Sequence, residues 1–144
     1  MILDAQLLFS DSQAITAAAG STNTIDLSAV RDIGTGEELY VMINVEVAFT
    51  DGSSNSTLTV ALEGDSTTTF TPDGTADLLI IPALAAAGNT YFARLSPGIN
   101  PLQYRYIRLL YTPNNGDLTT GTVSAGLVTG IQKATLYPDA ITIS

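Results

Sequence analysis

Every second residue from Leu39 to Phe49 is apolar: Leu39, Val41, Ile43, Val45, Val47 and Phe49 alternate with Tyr40, Met42, Asn44, Glu46 and Ala48. A period of two belongs to a strand, so the pattern predicts one buried face and one mixed face. Asp51-Gly52-Ser53-Ser54-Asn55 then supplies turn chemistry. Leu58, Val60 and Leu62 resume the alternation with Thr57, Thr59, Ala61 and Glu63 opposite, and the two runs are expected to pair as a β-hairpin with a longer loop. A second hairpin is expected further on. In Tyr104 to Tyr111, Ile107, Leu109 and Tyr111 share one face, while Tyr104, Tyr106, Arg108 and Leu110 share the other. The cluster Thr112-Pro113-Asn114-Asn115-Gly116-Asp117 marks its turn, and Val123, Ala125, Leu127, Thr129 and Ile131 its return.

Shorter segments complete the pattern. Leu78 to Ile81 reads as a strand stopped by Pro82, and Tyr91 to Leu95 as one stopped by Ser96-Pro97-Gly98. Short strands are expected at Ile15 to Ala17, Ile25 to Leu27 and Ile141 to Ile143. Asp65 to Gly74 reads as an exposed loop with one short edge strand, and Leu84 to Ala87 as a helical turn or loop. About eight to nine strands at intervals of roughly 8 to 12 residues, with no amphipathic helix, point to an all-β chain. The expected architecture is a jelly-roll-like two-sheet β-sandwich, as a single domain over residues 1–144 without repeat or linker.

Composition sharpens this picture. Charged residues are only 13% of the 144, against roughly a quarter in ordinary soluble domains, while 45% are hydrophobic. Twenty Thr and eleven Ser must therefore cover much of the surface, which suits pleated strands better than exposed helices. The net charge of -9 argues against nucleic acid and anionic membranes as partners. The longest apolar run, Leu78 to Ala87, is broken by Pro82 and is half the ~20 residues a membrane helix needs, so a soluble chain is expected. The start, Met1 to Phe9, lacks a basic segment and is interrupted by Asp4, unlike a signal peptide.

Neither His nor Cys occurs, which removes disulfides, the usual zinc ligands and the common Ser-His and Cys-His nucleophile systems. Carboxylate pairs are the catalytic material left. Glu37 and Glu38 are adjacent, so on a strand they point to opposite faces and cannot flank one bond. Asp4, Asp11, Asp26 and Asp32 have no spacing that brings them together. Asp51, Ser53 and Asn55 offer alternate oxygens around a Gly but lack the downstream acid of a calcium loop, so a turn is the simpler reading. Asn55-Ser56-Thr57 matches the glycosylation sequon without a signal peptide to support its use. No catalytic residue, metal site or cofactor is expected, and the chain is read as non-enzymatic.

Two segments point to interfaces instead. Tyr91, Phe92, Tyr104, Tyr106 and Tyr111 lie beside Arg94, Arg105 and Arg108, and Tyr and Arg are enriched where proteins meet. The alternative is that these tyrosines pack in the sandwich while the arginines neutralise nearby acids. The second segment is Met1 to Phe9, six of whose nine residues are large and apolar, so it packs either on its own sandwich or on a neighbour. The candidate interface residues are Ile2, Leu3, Leu7, Leu8, Phe9, Arg94, Tyr104, Tyr106 and Arg108.

Met1-Ile2-Leu3-Asp4-Ala5-Gln6-Leu7-Leu8-Phe9-Ser10-Asp11, the strand Leu39-Tyr40-Val41, Arg105-Tyr106-Ile107-Arg108-Leu109-Leu110-Tyr111-Thr112 and Gly121-Thr122-Val123-Ser124-Ala125-Gly126-Leu127-Val128 together resemble the capsid cement, or decoration, proteins of tailed phages, of the Bordetella phage type. The likeness spans nearly the whole chain in the same order and rests on strand and turn patterns; residues 64 to 77 fall outside it. It implies a jelly-roll-like sandwich that binds the outside of an icosahedral shell, made in the host cytoplasm and carried on the virion exterior. The implied partners are the major capsid protein of the same phage and a second copy of the chain, with a symmetric dimer favoured. Many weak copies on a lattice would gain strength by avidity. The rival reading is a carbohydrate-binding sandwich for host recognition, with Tyr91, Tyr104 and Tyr106 stacking on sugars. It predicts an exposed row of rings, and the absence of Trp counts against it.

Overall fold

A computed structural model describes residues 8–26, 39–95 and 104–129. In chain order these form β1 (Leu8–Ala14), β2 (Ala19–Gly20), β3 (Ile25–Asp26), β4 (Leu39–Thr50), β5 (Thr57–Asp65), β6 (Gly74–Ile81), β7 (Thr90–Leu95), β8 (Tyr106–Asn114) and β9 (Thr120–Thr129). Sheet 1 has the order β1-β9-β4-β7. Sheet 2 has the order β2-β8-β5-β6, with β3 also on β8, and every pairing is antiparallel.

The pairings are nested. β5 joins β6, β4 joins β7, β2 and β3 join β8, and β1 joins β9, as in one long folded ribbon. Rolling that ribbon adds the contacts of β4 with β9 and β5 with β8 and separates the strands into two packed sheets. This is the jelly-roll arrangement expected from the sequence, with β2 and β3 acting as one interrupted strand. Among the described residues no helix is long and apolar enough to cross a membrane.

Between the sheets lie Val41, Ile43, Val45 and Phe49 of β4, Leu58, Val60 and Leu62 of β5, Ile107, Leu109 and Tyr111 of β8, and Val123, Ala125 and Leu127 of β9, all buried. The period-two pattern groups each of these sets on one face, and for β8 the structure decides which of its two large-residue faces turns inward. Val47 breaks the pattern at 47% exposure, because the register of β4 on β9 slips between Val45 and Val47. A bulge adds a residue and turns the side chains beyond it.

Both expected hairpins are corrected. β4 and β5 lie in different sheets, and so do β8 and β9. Turn residues announce that the chain reverses without specifying which strand it reverses onto. Loops this long can span the ~10 Å between packed sheets. The true local hairpin is β5–β6, and β6 begins four residues before Leu78, inside the segment expected to be loop. β1 is a strand where none was assigned, and Ile15 lies just beyond its end. Ile131 and the strand expected at Ile141 to Ile143 lie outside the described residues.

Candidate interaction surfaces

The register of the strands fixes which side chains share an outer face. On sheet 1, Tyr40 sits opposite Arg94 on one side and Val128 on the other, and Met42 sits opposite Phe92 and Gly126. Leu8 of β1 also lies opposite Gly126. Leu8, Met42 and Phe92 thus form a cross-strand row over a glycine, with Tyr40, Arg94 and Val128 in the next row. Tyr40, Met42, Phe92 and Leu8 are half-buried, Arg94 is exposed and Val128 is buried. This face is apolar at one end. At the other, Glu46 accepts hydrogen bonds from the hydroxyls of Ser12 and Ser124, which hold its carboxyl below the usual range, the Ser12 bond first.

Sheet 2 presents a different outer face. Glu63 sits opposite Arg108 and Asp65 opposite Tyr106, and both acids are buried. Nε of Arg108 donates to Oε1 of Glu63 at 2.8 Å, and its guanidinium lies 4.4 Å from the centre of the Phe70 ring. Gly20 makes room for this group, since a Cβ there would meet Cζ of Arg108 at 3.0 Å. Phe70 belongs to the β5–β6 loop, which therefore folds back over the sheet.

Asp65 anchors that loop. Its carboxylate accepts the N–H of Thr67 at 2.8 Å and the N–H of Thr71 at 2.6 Å. These bonds, the one from Thr67 foremost, hold its carboxyl below the usual range against the opposing effect of desolvation. Tyr104 adds a bond from its hydroxyl to the carbonyl of Asp73 at 3.3 Å. Arg105 forms a two-pronged pair with Asp26, at 2.9 and 3.1 Å, and lies 5.0 Å from the centre of the Tyr106 ring. The Asp26 pairing raises the affinity of Arg105 for its proton.

The tyrosines and arginines grouped by sequence are thereby divided among three environments. Arg94 and Phe92 face outward from sheet 1, Tyr104, Tyr106 and Arg108 lie on the outer side of sheet 2, and Tyr111 is in the core. Tyr91 sits opposite Ile43, on the inward side of β7, and packs against the core. Tyr91, Tyr104 and Tyr106 therefore do not make the single row that sugar stacking would use. Phe9 is fully buried in the sandwich itself, because the bulge between Leu8 and Ser10 turns both Phe9 and Ser10 inward. Ile2, Leu3 and Leu7 lie outside the described residues.

Tyr40 and Met42 were missed as surface residues. Their signal is in the sequence, as the mixed face of the Leu39 to Phe49 strand, but it becomes a patch only when β7 and β9 are laid beside β4. Among the described residues no group of three or more acids is placed to hold a metal ion.

Comparison with known proteins adds two findings. A family model described as Bbp16 matches residues 9–127. A chain in the structure of infectious bursal disease virus Gx strain superposes with a TM-score of 0.41 at 16% identity, over 84% of this chain and 30% of that one. The aligned part is thus under a third of the viral chain. No curated protein gives a significant match to the sequence.

Proposed function

The chain belongs to the Bbp16 family, and from that premise we propose that it is a structural protein of a phage virion, which binds the outer surface of the icosahedral shell and cements neighbouring capsomers. The observation that carries this reading is the family match itself. It covers three of the four stretches that resemble phage cement proteins almost completely, and reaches the last three residues of the fourth.

The geometry supplies a means. One end of sheet 2's outer face is covered by its own loop and ion pairs and the other leaves Ile80 of β6 62% exposed, while sheet 1 presents Leu8, Tyr40, Met42 and Phe92 half-exposed beside Arg94. Aromatic, Met and Arg side chains of this kind form the energetic centre of protein interfaces. The major capsid protein is the partner for this face. A second copy of the chain completes the assembly as a homodimer, and repeated attachment to a lattice multiplies a modest affinity. The molecule works by adhesion and performs no catalysis.

The test is to mix the purified protein with shells that lack it, sediment them and record their melting. Co-sedimentation with a raised melting temperature is expected. Absence of both would reject the assignment.

A further inference from the structure

Two loops cross between the sheets at one end of the sandwich, residues 51–56 and 115–119, and they are fastened to each other. Nδ2 of Asn115 donates to the carbonyl of Asn55 at 3.2 Å. The buried Ser56 hydroxyl points at the carbonyls of Asn115 and Gly116, at 3.4 and 3.1 Å. Asn115 and Gly116 both have left-handed backbones, with φ of 67° and 107°, and both are exposed. Of the seven asparagines in the chain, only Asn115 precedes a glycine.

We propose that Asn115 is a site of spontaneous deamidation, restrained by Ser56 and Asn55, whose product unfastens the two crossing loops. The backbone nitrogen of Gly116, having lost its proton to hydroxide, attacks Cγ of Asn115. A new C–N bond closes a five-membered imide, the Cγ–Nδ2 bond breaks, and ammonia leaves with a proton from water. Water then opens the imide at one of its two carbonyls, giving aspartate or isoaspartate at this position. Glycine permits this because no Cβ on the following residue crowds the closing ring.

The native turn opposes the reaction. Ring closure requires Asn115 to leave its left-handed conformation and to release the Asn55 carbonyl, so the rate reports how often this turn opens. Once formed, the acid has no N–H to return to Asn55. Its charge adds to those of Asp51 and Asp117 in the same two loops, and isoaspartate also lengthens the backbone of a tight turn.

The experiment incubates the full chain at alkaline pH, native and in concentrated urea, and maps the tryptic segment between Arg108 and Lys133 for the mass gain of amide-to-acid exchange. Asn115 is expected to react before the other asparagines, more slowly in the folded chain than in urea. Ser56→Ala should raise the native rate about fivefold, the population change one ordinary hydrogen bond controls. Modification in urea with none in the folded chain, or another asparagine reacting first, would overturn the proposal. If Ser56→Ala does not fold, Asn115→Gln decides, because its longer side chain cannot close the five-membered ring: the mass gain must vanish, and its persistence refutes the assignment.

Discussion

The hydroxyls of Tyr111 and Ser10 meet at 2.7 Å inside the sandwich, one from each sheet. Ser10 donates its single proton to Oε1 of Gln13 at 2.7 Å, so Tyr111 is the donor to Ser10. Gln13 is oriented in turn by the N–H of Thr22 and the carbonyl of Gly20. Burial pushes the Tyr111 hydroxyl well above its ordinary range, which keeps it a neutral donor. Tyr111→Phe should cost about 1 kcal/mol, and Ser10→Ala up to about 3 kcal/mol because it strands a buried hydroxyl. The double variant should cost less than the sum. Urea unfolding of all three measures this.

Removing one member of the Arg108–Glu63 pair should do more damage than removing both. Glu63 is buried and would be left with an uncompensated charge, so Arg108→Ala is expected to cost about 2 to 3 kcal/mol, the lower end for a buried pair because Arg108 is partly solvated. Combining Arg108→Met with Glu63→Leu should recover most of that loss. Chemical denaturation of the single and double variants checks the order.

Acid should loosen both long loops. The Asp51 carboxylate accepts the N–H groups of Ser56, Ser53 and Asn55, and Asp65 those of Thr67 and Thr71, and both are held below the usual range, chiefly by Ser56 and Thr67 respectively. A depressed native value adds stability above the unfolded value of about 3.9, and that stability is lost as pH falls through the native one. Melting temperature should therefore be level near neutrality and drop below about pH 4. Asp65→Asn should start lower and show a shallower drop in thermal melts across that range.

The two outer faces should separate binding from folding. Phe92→Glu or Met42→Glu is expected to weaken shell attachment at least about tenfold while changing stability by less than about 1 kcal/mol, since both side chains are half-exposed. Tyr106→Ala, on the other sheet, should leave attachment intact. Sedimentation with shells, beside urea unfolding of the free variants, distinguishes these outcomes.

Which residues form strands, and which side of each faces the core, was legible from alternation for β4, β5 and β9. Both faces of β8 carry large residues, so alternation left its inner side open, and β8 runs on to Asn114, into the expected turn. Strand partners were not legible. Thr112 to Asp117 has the composition of a hairpin turn, yet β8 and β9 part company there, because pairing is decided by the stacking of two sheets and not by the loop. Val47 shows a smaller failure of the same kind, since a bulge reflects the partner strand and leaves no trace in the alternation. The candidate surface was half legible. Arg94 was singled out, but Tyr40 and Met42 join it only through cross-strand register. Arg108 was offered as a contact residue with ion pairing as its alternative, and its pairing with Glu63 depends on residues 45 positions apart.

Because Leu8 is seated opposite Gly126, the first described strand has no partner to pair with until the distant β9 has left the ribosome. Among the described strands β5 and β6 can zip up early, and each outer layer of the ribbon must await a more distant stretch. Such a topology favours slow, late, all-or-nothing assembly, and a prematurely terminated product lacking β9 would leave both β1 and β4 open to pairing with other chains.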